Sequence, residues 1–253
     1  MDTRVGKDQG QKSKMGIDLS RYTLFQKEKI KHCALLPYQG YCNTNYLAIT
    51  ENTRYLIRKL QPNSLDRAFE YRVQQHAHRK KIGAEPFHYD AENYLIISDF
   101  LDGEHKSKLT PREIRTVAET LRKLHRINLR KERYRLKKDF KPGQTKALKA
   151  LKKLQKEPKD HVLTHHDLNP RNILFHKQRV KFIDWEYTGI NDRYFDLATI
   201  AAEFKLTARE ERYFLRSYFR NNAGFNLKKL HLYKELYTIL CSLWFKNFDA
   251  KKN

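Results

Sequence analysis

Tyr46–Thr50 and Arg54–Leu60 are short runs rich in aromatic and branched residues, separated by the polar turn Glu51-Asn52-Thr53. That pattern predicts a β-hairpin. Leu35-Leu36-Pro37 opens the strand region, and Tyr94–Leu101 predicts a further strand running into the Asp102-Gly103 turn. Ile17–Lys31 has the weaker spacing of an amphipathic helix. Ser64–Ile82 predicts a firmer one: Ser64 or Asn63 caps it, Asp66 complements its dipole, and Gly83 ends it with Pro86 just beyond. Past residue 101 helical spacing takes over. Thr110-Pro111-Arg112-Glu113 is a capping box with proline at the first helical position, followed by the apolar stripe Ile114, Val117, Leu121 and Leu124. A basic segment from Gln144 to Lys156 predicts another helix. Thr207-Ala208-Arg209-Glu210 caps a helix to about Arg220, Asn221–Gly224 breaks it, and Leu227–Phe248 forms the last. Between these helices lies a second hairpin, Ile173–Phe175 with Val180–Ile183, turning through His176–Arg179. The predicted class is α+β.

Composition narrows the possibilities. A chain of 253 residues with 40% hydrophobic and 12% aromatic content can bury a sizeable core, which excludes general disorder. Its most apolar stretch, Leu236–Phe245, is too short to cross a bilayer, and the N-terminus lacks the apolar core of a signal peptide. Cys33, Cys42 and Cys241 are odd in number and widely spaced, as in a reduced, cytoplasmic protein. The net charge of +23 suits nucleic acid, anionic surfaces or a polyphosphate alike. Lys and Arg are spread over the whole length and fall on outward helical faces such as Lys149, Lys152 and Lys153, so a solvated surface is the favoured reading. Nucleic acid is not the expected partner.

The chemistry concentrates in His161–Phe204. His165-His166-Asp167-Leu168-Asn169-Pro170-Arg171-Asn172 is an H-x-D-x-x-x-x-N string, and Asp184 follows on the far side of the second hairpin. A hairpin of that size holds Asn172 and Asp184 near one end. An Asp, an Asn and a second Asp so placed suit phosphoryl transfer: Asp167 orients a hydroxyl and accepts its proton, while Asn172 and Asp184 hold Mg2+ on the phosphates of ATP. His165 opens the loop and braces it. A cation on an adjoining strand should neutralise the phosphates, with an acid to steady it. Arg58 is the candidate cation, with Lys59 pointing to the other face of the strand, and Glu70, about two turns into the first long helix, is the candidate acid.

The spacing matches the kinase catalytic loop. With Asn169 inside the loop and Asp184-Trp185-Glu186-Tyr187 after the hairpin, followed by Asn191-Asp192-Arg193-Tyr194-Phe195-Asp196-Leu197-Ala198, the stretch resembles the choline/ethanolamine kinase and aminoglycoside phosphotransferase superfamily, and most of all its bacterial choline kinases. Thiamine kinases share the Asp-Trp-Glu-Tyr portion. The resemblance implies a two-lobed protein-kinase-like fold: a basic mobile tail over 1–16, a nucleotide-binding lobe over 17–101, and a mainly helical catalytic and acceptor lobe over 102–253. It implies a phosphate-covering loop at Gly40, Asn43 and Asn45, and adenine contacts along Asp99, Phe100 and Leu101. It also places the acceptor's cationic head at Glu203, with Glu186 nearby and Trp244 as a cage aromatic. A second cage aromatic is implied where this chain has Cys241, and Tyr237, about two turns before Trp244, is the candidate to compensate.

The expected function is transfer of the ATP γ-phosphoryl group to the hydroxyl of choline or a similar amino-alcohol. The alternatives are a thiamine or other small-alcohol kinase, and a basic nucleic-acid-associated protein or pseudokinase on the same scaffold. The presence of Asp167, Asn172 and Asp184 together argues against the pseudokinase.

Overall fold

The computed structural model describes residues 18–40, 43–220 and 224–249. The expected tail over 1–16 and the expected helix break at 221–223 lie outside them, as does Cys42. The chain divides into two compact units, one formed by the chain up to Ser64 with Glu85–Phe100, the other by Leu65–Ala84 with everything from Leu101 onward.

The first unit is an antiparallel sheet of β1 (His32–Leu35), β2 (Asn43–Ile49), β3 (Arg54–Leu60), β4 (Pro86–Asp90) and β5 (Leu95–Asp99), in the order β1-β2-β3-β5-β4. The predicted first hairpin is β2–β3, in register Tyr46↔Ile57, and Thr50 N–H closes the turn on Thr53 O at 3.0 Å. One face of the sheet carries Ala48, Tyr55, Ile57 and Ile97 against Leu19, Tyr22 and Phe25. The last two flank and occupy α1 (Thr23–Lys27). The single helix expected over Ile17–Lys31 is thus a 3-10 turn at Leu19–Arg21 and the five residues of α1. β1 then takes His32–Leu35 into the sheet, because its pairing with β2 outweighs a weak helical preference.

The second unit holds α2 (Arg67–Arg79), α3 (Pro111–Leu124), α4 (Thr145–Leu154), α5 (Tyr194–Glu203), α6 (Ala208–Phe219) and α7 (Leu227–Asp249). Two small antiparallel ribbons accompany them, β6 (His161–Thr164) with β9 (Gly189–Asp192), and β7 (Ile173–His176) with β8 (Arg179–Phe182). Both predicted capping boxes form, Thr110 with Glu113 and Thr207 with Glu210. The predicted stripe Ile114, Val117, Leu121 and Leu124 is buried in the core, as are all residues of α5 from Tyr194 to Ala201. A helix apolar on every side lies at the centre of its unit, and α5 does.

The expected helix at Ser64–Ile82 corrects in two ways. It starts at Arg67, because Asp66 accepts Phe69 N–H at 2.9 Å and is the cap. It also belongs to the second unit instead of the expected lobe at 17–101. Phe69, Val73 and Ala77 are part of the larger core, and Ile82 O accepts Phe182 N–H at 2.8 Å. Gly83 fits where a Cβ would stand 3.0 Å from Ala77 Cβ and 3.2 Å from the Trp185 ring.

Candidate active site

β6 delivers the chain to His165, His166 and Asp167, and Asn169 caps the 3-10 turn Pro170–Asn172 that leads into β7. His166 sits in the left-handed region, φ 71°, which costs a residue with a Cβ about 1–2 kcal/mol. Asp196 holds it there. Fully buried on α5, its Oδ1 accepts His166 N–H at 3.0 Å, and its Oδ2 accepts His165 N–H at 2.7 Å and the His125 Nε2 proton at 3.0 Å. Burial opposes its ionisation, but the bond from His125 and the neighbouring imidazoles outweigh it and hold its carboxyl below the ordinary range. His125, expected to be a packed histidine, bonds Tyr218 Oη at 2.6 Å through its other nitrogen.

Asp167 receives one side-chain amide on each oxygen, Asn169 Nδ2 on Oδ1 at 2.9 Å and Asn172 Nδ2 on Oδ2 at 2.7 Å. Burial, with Asp184 and Glu186 nearby, raises its pKa to about 6 against those two amides. Such a carboxylate is ionised at neutral pH and still basic enough to take a proton. Asn172 Nδ2 also donates to Asp167 O at 2.8 Å, so Oδ1 is the acceptor atom this amide has to offer.

Asn172 and Asp184 meet across the base of the β7–β8 hairpin, where Ile183 N–H bonds Asn172 O at 3.1 Å and Ile173 pairs with Phe182. Asp184 adopts φ 66°. An amide oxygen and a carboxylate are hard donors, and two of them suit magnesium, which takes much of its shell from water and phosphate. Among the described residues no three His, Cys, Asp or Glu side chains gather as a metal site. His165 is fully buried against the Trp185 ring, its Nε2 proton on Ile183 O at 3.0 Å, and burial keeps it neutral. It braces the carbonyl just before Asp184 and is a positioning residue, not the catalytic one the motif suggested.

Glu186, expected beside the acceptor, is 6% exposed and bound by Arg67 Nη1 at 3.0 Å. The same nitrogen binds Glu70 Oε2 at 2.7 Å, and Glu70 is 1% exposed. A residue the sequence did not single out, Arg67, therefore ties α2 to the segment after Asp184. Its only signal was a lone Arg one turn before Glu70.

In the first unit Arg58 is buried on β3, opposite Asn45 of β2. Asn43 and Asn45 are not loop residues as expected. Both lie in β2, and the Gln39 side chain accepts Asn45 N–H at 2.7 Å and donates to Asn45 O at 2.9 Å. Of the expected loop residues only Gly40 precedes the strand, and a Cβ there would meet nothing within 4 Å. The amide protons of Asp99 and Phe100 bond Glu85 O at 2.8 Å and Arg54 O at 3.0 Å, so neither is left for a base.

On the acceptor side, Glu203 ends α5 and its Oε1 accepts the Tyr237 hydroxyl at 2.7 Å. Tyr237 is buried on α7 and meets the edge of Phe195 at 6.3 Å. Cys241, one turn further on, has its thiol pKa raised by burial, and its thiol lies within electrostatic reach of Glu203 and Asp167. Trp244 is 38% exposed and edge-on to Phe245 at 5.1 Å.

The phosphotransferase enzyme family (APH) matches residues 35–233, a span that takes in β2 through most of α7's first turns and every residue of the Asp167–Asp184 constellation. The chain belongs to the phosphotransferase enzyme family. Protein LicA of Haemophilus influenzae is 35% identical over 89 residues, covering 32% of this chain and 33% of the relative. The chain thus spans about a third of the curated relative it matches. Among solved structures, choline kinase LicA from Streptococcus pneumoniae superposes with a TM-score of 0.76 at 22% identity, covering 87% of each chain. A choline/ethanolamine kinase family protein from Mesorhizobium loti gives 0.74 at 20% identity, over 93% of this chain and 85% of the other. At these identities the likeness establishes a shared phosphotransferase fold. Among the described residues no helix is long and apolar enough to cross a membrane.

Proposed function

We propose that this phosphotransferase moves the γ-phosphoryl group of ATP to the hydroxyl of a small amino-alcohol of the choline and ethanolamine class. The observation that carries the reading is Asp167, each oxygen anchored by one amide, set beside Asp184 at the base of one hairpin. The two amides fix the carboxylate's rotation and leave lone pairs for a substrate hydroxyl, so Asp167 orients that hydroxyl and takes its proton as the new P–O bond forms. Asn172 through Oδ1 and Asp184 would hold magnesium, which when bound neutralises charge on the phosphates. Arg58, buried on β3, would add its guanidinium to the phosphates with Glu70 as its steadying acid, and Gly40 would lie in the loop over them. Asp99 and Phe100, with their amide protons spent in the sheet, would offer carbonyl oxygens to adenine, and Leu101 its amide. Glu203 would receive the cationic head, with Trp244 further along α7.

The relatives named as choline kinases support this acceptor class. A coupled ATPase assay of the purified protein against choline, ethanolamine, thiamine and an aminoglycoside tests it. Amino-alcohol-dependent turnover is expected, and turnover with the aminoglycoside alone would overturn the assignment.

A further inference from the structure

Resting on that reading, the lining between Glu203 and Asp167 says more about the cation it accepts. Tyr237 and Cys241 stand four residues apart on α7, hence on one face of the helix. The face is packed, since Tyr237 belongs to the core and Cys241 lies against it. The Tyr237 hydroxyl donates its proton to Glu203 Oε1 at 2.7 Å and its ring meets the edge of Phe195. Tyr237 is therefore spent on orienting the carboxylate and is not an open aromatic face, as the sequence had suggested. Next to it the Cys241 thiol bonds weakly with the Tyr237 hydroxyl and feels both carboxylates, Glu203 at one end and Asp167 at the other.

The groups along this path are hydrogen-bond acceptors: the second oxygen of Glu203, the lone pairs of the Tyr237 oxygen, the Cys241 sulfur and the Asp167 carboxylate. A quaternary ammonium has no N–H to give them and is held best over aromatic faces. A protonated primary or secondary amine has N–H donors that match them. Burying a carboxylate against methyl groups leaves it without a partner, an arrangement that sites built for N–H donors reject strongly.

We propose that the acceptor end selects an amino-alcohol whose ammonium carries N–H donors over a quaternary one, and that Cys241 is the residue that sets this selectivity. A small thiol at this point leaves the carboxylate open to N–H donors, where a ring would cover it and offer a face to methyl groups.

The test is kcat/KM for ethanolamine, N-methylethanolamine, N,N-dimethylethanolamine and choline. The expected result is a stepwise fall along the series, with ethanolamine at least about tenfold above choline, the lower end of what one lost contact produces. C241W should raise the choline-to-ethanolamine ratio by about tenfold or more, and C241S should leave it unchanged. Choline turned over as well as ethanolamine by the wild type would overturn the inference while leaving the kinase reading intact. Absence of turnover across the whole series would instead sink the amino-alcohol assignment. Because the wild-type series decides the preference, failure of C241W to fold does not remove the test, and in that case C241F with the same acceptor pair reads the residue's role.

Discussion

Asp196 touches no reacting atom, yet Asp196→Asn should disable the site. Its two oxygens take three donors, the His165 and His166 amides and the His125 ring. Asparagine keeps one oxygen and turns the other position into a donor, so at least one buried N–H faces another N–H. Leaving a buried donor unsatisfied costs about 1–3 kcal/mol. The remaining bonds lose their charge assistance, roughly a further 1 kcal/mol each. The left-handed backbone at His166 then loses the bond that holds it, and about 1–2 kcal/mol of local strain can relax by moving the loop. Allowing for that relaxation, the net loss is about 3–5 kcal/mol, or a fall in Tm of roughly 10 °C for a chain of this size. Because the loop carries Asp167, kcat should fall at least about 100-fold, the cost of a displacement near 1 Å. The pH dependence has a definite sign. The carboxyl is held below its unfolded value, so its stabilisation is complete above the ordinary aspartate range and is lost only as pH falls through the folded pKa beneath it. The gap between variant and wild type, measured by thermal unfolding, should therefore stay constant from pH 8 to pH 5 and close only in stronger acid. A loss below about 1 kcal/mol with near-normal turnover would refute the reasoning.

Asp167→Ala should lower kcat by about 100- to 10,000-fold, the usual worth of a positioned base, with nucleotide affinity nearly intact by calorimetry. Asp184→Ala should weaken nucleotide binding in magnesium but leave magnesium-free binding little changed, which titrations with and without EDTA would separate. Arg67→Ala leaves Glu70 and Glu186 buried without that partner and should cost about 3–5 kcal/mol in denaturant unfolding. Arg67→Lys should recover only part of it, because one ammonium cannot reproduce a planar fork.

The catalytic string was legible because its residues are close in sequence: Asp167, Asn169 and Asn172 meet within one turn and one hairpin. Capping boxes and the α3 stripe were legible for the same reason. What escaped was built across long separations. Asp196 stood in plain view within Phe195-Asp196-Leu197, but nothing local indicates that it reaches back to His165 and His166. The β6–β9 ribbon pairs His161 with Asp192, beyond the range of any hairpin signal. Arg67 meets Glu186 across 119 positions. Asn43 and Asn45 looked like loop residues by type, and only the register with Leu60 and Arg58 makes them strand.

The placement of α2 also bears on how the chain can be made. Its residues precede β4 and β5 of the first unit, yet its charge partner Glu186 and its neighbour Trp185 come about a hundred residues later. During synthesis the sheet can be completed once residue 100 has emerged, while α2 must wait, its buried acid and base held out of water by nothing, until the second hairpin follows. A cut at residue 101 would strand that helix permanently, so neither half of this enzyme can be obtained by simple truncation.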